Sequence, residues 1–230
     1  MMRARVTLGF AASLALLPLV TLARDARAQG DAAGQAAAPA TRTVLRAAHL
    51  LEPRTGKRID NAVIVIDGEK ITSVSAGGAI PAGAKVVDLG DVTVLPGLID
   101  VHTHLSSESH DYYTDLFRHS PIDAAVRAHV YAKRTLEAGF TTVRDVGAPE
   151  LIDVALRNAI NEGVVEGPRM LVATLPLSAT GGHGDLNGFS PYIHFQQLSN
   201  IADGVDEVRK AVRTNVKYGA DWIKVLASAG

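Results

Sequence analysis

The sequence predicts an α/β fold, a small β-unit followed by the first half of an eight-stranded (β/α)8 barrel. Three observations lead there. Between Thr43 and Leu95 short β-branched runs alternate with turn residues, from Leu98 onward apolar strand alternates with amphipathic helix, and no glycine-rich phosphate loop follows any of those strands. Strand and helix in alternation make a parallel sheet with crossover helices, and the missing phosphate loop favours a barrel over a doubly wound open sheet. A full barrel needs about 250 residues by itself. Half a barrel leaves two strand edges unpaired, which natural proteins avoid, so the end at Gly230 reads as a truncation.

In the first unit the runs cover 44–45, 62–66, 71–74, 86–89 and 92–95. Asp67-Gly68 marks a hairpin, because glycine accepts the positive φ of a tight turn, and the unit is expected to be antiparallel. Strand candidates in the second unit cover 98–102, 141–145, 170–175 and 222–226. The first helix is signalled by Ser120 as cap and Pro121 in the first turn, runs through Ala124, Val126, Val130 and Leu136, and ends at Gly139. A second lies at about 150–161, ending near Gly163. A third, at about 201–218, carries Val205, Val208, Val212 and Val216 at helical spacing and ends at Gly219. Gly139 and Gly219 both fit carboxyl-terminal caps.

The amino terminus has a separate role. Arg3 and Arg5 precede an apolar run over 6–20, and Ala26-Arg27-Ala28 follows as a small-x-small site, the pattern of a secretory signal peptide. The competing reading is a membrane anchor, but the run is shorter than the roughly 20 residues a spanning helix needs and contains Pro18. The expected organisation is a signal peptide at 1–28, a flexible leader at 29–42, the β-unit at 43–95 and the barrel half at 96–230. The mature protein is expected to be periplasmic or extracellular, with no membrane contact after cleavage.

Composition narrows the function further. With 47% hydrophobic residues the chain can bury a core, so disorder is excluded as the default. A formal charge of -1 gives no field that would attract nucleic acid or an anionic surface. The absence of cysteine excludes disulfides, thiolate metal sites and a cysteine nucleophile. Any metal must be held by nitrogen and oxygen.

The chemistry is concentrated in Leu95-Pro96-Gly97-Leu98-Ile99-Asp100-Val101-His102-Thr103-His104. Side chains alternate along a strand, so His102 and His104 share a face and can share a metal ion. At the carboxyl end of a barrel strand that face is the active-site mouth. The competing reading is a pair of histidines satisfied by ordinary hydrogen bonds. His49, His110, His119 and His129 lack comparable context and read as structural or exposed. Nothing resembles a serine nucleophile elbow or a Walker loop.

The segment from Pro96 to His104 resembles the opening strand of the amidohydrolase superfamily, where Pro-Gly-Leu/Phe-Ile-Asp-x-His-x-His supplies the first two metal ligands. A second stretch, Gly219-Ala220-Asp221-Trp222-Ile223-Lys224-Val225-Leu226-Ala227-Ser228, resembles the fourth barrel strand of the subgroup containing imidazolonepropionase-like enzymes and Xaa-Pro and Xaa-Arg dipeptidases. The resemblance implies a TIM barrel of the metal-dependent hydrolase type, with 43–95 as the amino-terminal part of a β-sandwich. It also implies that Lys224 is carbamylated and bridges two divalent ions, zinc being the first choice, with His102 and His104 as further ligands. A lysine buried in an apolar strand is pushed toward the neutral amine, which can take up carbon dioxide and become an anionic oxygen ligand. The competing reading packs the Lys224 stem in the core with its head in solvent.

Two other stretches match the same subgroup, Gly139-Phe140-Thr141-Thr142-Val143-Arg144-Asp145-Val146-Gly147 and Gly181-Gly182-His183-Gly184-Asp185. Arg144 and Asp145 could hold substrate or form a structural ion pair. The loop over 178–196, carrying His183, Asp185, Tyr192 and His194, reads as a substrate lid, with surface polarity as the simple alternative. The resemblance implies a dipeptidase-like hydrolase, in which a metal-activated hydroxide attacks the amide bond of a small peptide, with the general-base aspartate and two more histidines supplied downstream. The alternatives are a cyclic amide or lactone hydrolase of the same superfamily, or an inactive fragment that pairs with a complementary chain. Oligomerisation is left open by the sequence.

Overall fold

The structure, a computed structural model, describes residues 42–107 and 117–228. The expected signal peptide, His110, Ala229, Gly230 and all of the expected leader but Arg42 lie outside the described residues. Arg42, expected at the end of the leader, belongs to the first strand.

Five strands build the first unit: β1 (Arg42–Glu52), β2 (Lys57–Asp67), β3 (Lys70–Ala76), β4 (Lys85–Asp88) and β5 (Thr93–Val94). The sheet order is β3-β2-β1-β4, with β5 also on β1. The β2–β3 hairpin closes at Asp67↔Lys70 with Gly68 at φ 58. The expectation of an antiparallel unit is corrected, because β4 and β5 both run parallel to β1. Parallel neighbours require a crossover rather than a tight turn, and the link between β3 and β4, with positive-φ glycines at 77, 78 and 83, carries the chain to the far edge of β1. Val44, Ala47, Ala62, Val63 and Ile64 are buried within this unit.

The second unit opens with a parallel sheet in the order β6-β7-β8, made of β6 (Leu98–Thr103), β7 (Phe140–Asp145) and β8 (Arg169–Val172). Helix α1 (Pro121–Glu137) joins β6 to β7, and α2 (Ile152–Asn161) joins β7 to β8. A short parallel pair, β9 (Leu177–Ser178) and β10 (Asn200–Ile201), is followed by α3 (Val205–Lys217). The core between sheet and helices comprises Leu105, Ala128, Ala132, Val143, Ala148, Ile152, Leu156, Met170 and Val172.

The start of α1 follows the sequence signal. Ser120 Oγ accepts from the Asp123 N–H and the Asp123 carboxylate accepts from the Ser120 N–H, a reciprocal capping box. Its buried face differs from the expected one: Ala128 and Ala132 meet the core, whereas Val126 is 64% exposed. Close approach explains the choice, since a Cβ added at Gly167 would lie 3.0 Å from that of Ala132. At α2 the expected start at 150 shifts, because Glu150 (φ 51) and Leu151 (φ 59) are left-handed and the helix begins at Ile152.

Helix α3 begins at Val205 rather than near 201, since Gly204 (φ 88, ψ 172) is not helical and Asn200–Ile201 pairs with β9. The valine stripe is not its anchor: Val205 is 71% exposed. Ala211 and Asn215 are buried instead, and Asn215 Nδ2 donates to the Leu175 carbonyl at 2.7 Å while Asn215 Oδ1 accepts from Asn200 Nδ2 at 2.9 Å.

The strands expected at 170–175 and 222–226 are also corrected. Left-handed Thr174 (φ 59) follows the end of β8, and 222–226 meets β8 only at Val172, whose carbonyl accepts from the Trp222 N–H at 3.2 Å. It pairs through one parallel bridge, Val225↔Leu177, with the Leu177 N–H donating to the Lys224 carbonyl at 2.9 Å and the Leu226 N–H to the Leu177 carbonyl at 2.8 Å. Among the described residues no helix is long and apolar enough to cross a membrane.

Candidate functional site

Strand β6 carries His102, and His104 follows its last residue by one position. The period of two puts both imidazoles on one side, with ring centroids 5.6 Å apart and planes at 63°. The His102 pKa is pushed below the usual imidazole range, first by the positive charge of Lys224, then by partial desolvation, then by His104 and Arg144, while Asp100 opposes the shift. The neutral form, the one that binds metals, is therefore favoured. The charges that act on His102 thus include Lys224, 122 positions away in sequence.

His104 Nδ1 lies 2.8 Å from the Gly147 carbonyl oxygen. A carbonyl only accepts, so Nδ1 carries the proton and Nε2 is the free lone pair. The loop holding that carbonyl is tied to β6 at several points. The Val146 N–H donates to the Thr103 carbonyl at 2.9 Å, and Asp145 accepts from the Leu105 N–H at 2.6 Å and from the Gly147 N–H at 3.4 Å. Burial raises the Asp145 pKa to about 7, assisted by the negative charge of Asp153 and opposed by those two backbone donors.

Lys224 is half-buried rather than enclosed in an apolar strand, which corrects the surroundings expected for it. Its segment is held from both sides: the Asp221 carboxylate accepts from the Val172 N–H at 3.0 Å and from Arg157 at 2.7 Å. Arg144 and Asp145 are consecutive on β7 and point to opposite faces, so the ion pair considered between them is not formed. Arg144 Nε donates to the Val101 carbonyl at 2.7 Å, and its guanidinium lies 5.4 Å from the Trp222 ring centroid. Trp222 drew no functional reading from sequence, although it neighbours Lys224.

The long loop places its residues differently from one another. Asp185 accepts from the Gly181 N–H at 2.9 Å and from Gln197 at 3.2 Å, so its carboxylate is committed to holding the loop. His183 is exposed, and its N–H donates to the Ser228 carbonyl at 3.1 Å, tying the loop to the end of the Lys224 segment. Tyr192 is 88% exposed and His194 is exposed. Phe189 and Phe195 lie 4.7 Å apart between ring centroids and 5.9 and 5.5 Å from Phe117, an aromatic trio linking this loop to the stretch before α1 that periodicity could not reveal. His49 is structural, 2.8 Å from Asp60 across the β1–β2 pair, and His119 and His129 are exposed.

Among the described residues no three of His, Asp and Glu gather at metal-binding distance. The donor set is two imidazoles and one amine, which is chemically suited to a divalent ion of borderline softness but incomplete as a cage. Two surface concavities, one on α3 around Asp206 and Arg213 and one between Glu150, Thr174, Asn200 and Tyr218, contain none of these three residues.

Residues 93–230 match the Amidohydrolase family. Ochratoxinase of Aspergillus niger is 34% identical over 205 residues, covering 80% of this chain and 42% of that protein. Among solved structures, a Xaa-Pro dipeptidase with bound methionine in the active site aligns with a TM-score of 0.74 at 34% identity, over 80% of this chain and 46% of that one. A prolidase complexed with N-methylphosphonate-L-proline aligns with a TM-score of 0.73 at 34% identity, over 83% and 47% respectively. The chain thus spans less than half the length of these relatives.

Proposed function

Since the chain belongs to the amidohydrolase family, we propose that it carries the first metal ligands of a dipeptidase-like enzyme that hydrolyses the amide bond of a small peptide or N-acyl amino acid. The observation that carries this reading is the pairing of His102 and His104 on one side of β6 with Lys224 as the largest electrostatic influence on His102. His102 and His104 would hold metal through ring nitrogens. Lys224, after its neutral amine adds carbon dioxide and loses a proton, would present carbamate oxygens to the same ions. When bound, the metals supply Lewis acidity toward the amide carbonyl and acidify water, and zinc suits these donors. Arg144, held by Val101 and Trp222, keeps positive charge at the rim where a substrate carboxylate can be received. His183, Asp185 and Tyr192 belong to the loop proposed to cover that rim.

We further propose that 96–230 forms the first four strands of an eight-stranded barrel, with 43–95 as part of a β-sandwich. Ile99 at 66%, Val101 at 55%, Trp222 at 48% and Val225 at 59% exposure support this, because such apolar groups on a sheet ask for covering chain. Export follows from the signal-like segment at 1–28, and amino-terminal sequencing of secreted protein beginning at Gln29 tests it.

The test of the activity is hydrolysis of a panel of Xaa-Pro dipeptides and N-acyl amino acids by protein expressed with zinc and bicarbonate. Cleavage that stops on chelation and returns with zinc supports the reading. Opening of cyclic amides or lactones with no peptide cleavage would move it to that class, and failure to retain any metal would leave the inactive-fragment reading standing.

A further inference from the structure

The Asp145 carboxyl is fully buried at the end of β7. Among the described residues its hydrogen-bond partners are two backbone N–H groups, Leu105 at 2.6 Å and Gly147 at 3.4 Å. Both groups belong to residues tied to one imidazole. Leu105 is the residue after His104, and the Gly147 carbonyl is the acceptor for His104 Nδ1. The His104 ring also packs against the Gly147 backbone, where an added Cβ would lie 3.6 Å from His104 Cε1 and 3.2 Å from Pro176 Cδ. Pulling both N–H groups toward one carboxyl sets how far the 104–105 peptide stands from the Gly147 carbonyl.

We propose that Asp145 is a positioning residue for His104: by gripping the Leu105 and Gly147 amides it holds the Gly147 carbonyl on Nδ1, selects the Nδ1–H tautomer and leaves Nε2 unprotonated for its ligand. That the ligand is a metal rests on the function proposed above; the tautomer selection does not. A partner that orients a ligating histidine affects metal affinity without touching the ion, commonly by about 10–100-fold. Asparagine at 145 has nearly the same shape but presents an NH2 where a carboxylate oxygen accepted, so one backbone donor loses its partner.

A built-in control exists in the first turn of α2, the helix that follows β7. Asp153 is equally buried and likewise accepts backbone donors, Thr174 at 2.7 Å and Val154 at 2.8 Å, but among the described residues neither partner is bonded to a histidine. A purely structural role predicts that Asp145→Asn and Asp153→Asn behave alike. Positioning predicts that they differ at His104.

The experiment records long-range 1H–15N correlations of 15N-histidine-labelled protein, metal-free and zinc-titrated, with His104 assigned by its loss in His104→Gln. The expected wild-type signature is Nδ1 protonated and Nε2 bare. Asp145→Asn is expected to show a mixture of tautomers and about 10–100-fold weaker zinc binding, while Asp153→Asn keeps the wild-type signature. A wild-type His104 protonated at Nε2 would overturn the proposal even if Asp145→Asn does not fold. So would a folded Asp145→Asn with an unchanged signature, or an Asp153→Asn that shifts it equally. If Asp145→Asn alters the tautomer but zinc binds neither protein, positioning stands and the metal reading fails.

Discussion

Substituting Gly97 by alanine tests how β6 is delivered to the site. An added Cβ would lie 2.0 Å from Thr141 Oγ1, 2.4 Å from Cγ2 and 2.7 Å from Cβ. Thr141 is exposed, so rotation about χ1 can move Oγ1 and Cγ2 into solvent. It cannot move the Thr141 Cβ, and the backbone must give by several tenths of an ångström. Overpacking of this kind costs about 1–3 kcal/mol. Gly97 has no positive φ, so alanine also restricts the unfolded chain and returns about 0.4–1 kcal/mol. The expected net loss is about 1–2 kcal/mol, read from urea denaturation at unchanged m-value. The same measurement in a Thr141→Gly background removes all three contacts and should abolish the loss. Gly97→Ala with full stability, or with an equal loss in both backgrounds, would refute the assignment of the cost to this contact. The strand at stake is anchored one residue later, where the Leu98 N–H donates to the Gly139 carbonyl at 2.9 Å.

Other outcomes follow from the same geometry. The folded-state pKa of Asp145, about 7, stands above its ordinary value of 3.8, so its contribution to stability is full below pH 4 and is lost as pH rises toward 7. The slope is at most about 1.4 kcal/mol per pH unit. Asp145→Asn should flatten stability against pH in that window, and an unchanged profile would contradict the burial argument. Asp221→Asn should weaken the bonds to Val172 and Arg157 and cost about 1–2 kcal/mol, between surface and buried values because Asp221 is about one-third exposed; thermal denaturation with no shift would argue against that tie. Protein loaded with zinc and 13C-bicarbonate should show a carbamate carbon signal that Lys224→Ala lacks, and its absence from the wild type would remove Lys224 from the ligand set.

Much of this was legible in the chain because the signals are local. The Ser120-Pro121 start of α1, the glycine after it, the Asp67-Gly68 hairpin and the strand–helix rhythm from Leu98 each depend on neighbours a few residues apart. The His-x-His pair was legible for the same reason, since strand geometry alone puts both rings on one side. Exposure went wrong where a larger residue marked periodicity but a smaller one was needed: Ala128 and Ala132 meet the core while Val126 is in solvent. The split of the expected 170–175 strand turned on the left-handed Thr174, for which threonine gives no sequence signal.

The sequence by itself determined the family, the strand–helix alternation from Leu98 to β8, and the residue types able to bind a metal, since all three are written in short runs. Only the tertiary structure decided the parallel return of β4 and β5 to β1, the fixing of Arg144 by Val101 and Trp222, and the use of Asp145 on the backbone around His104. Those pairings join residues about 40 to 80 positions apart. Such contacts depend on how crossovers bring strand ends together, and a buried carboxylate shows its task only when the amide groups facing it are in place.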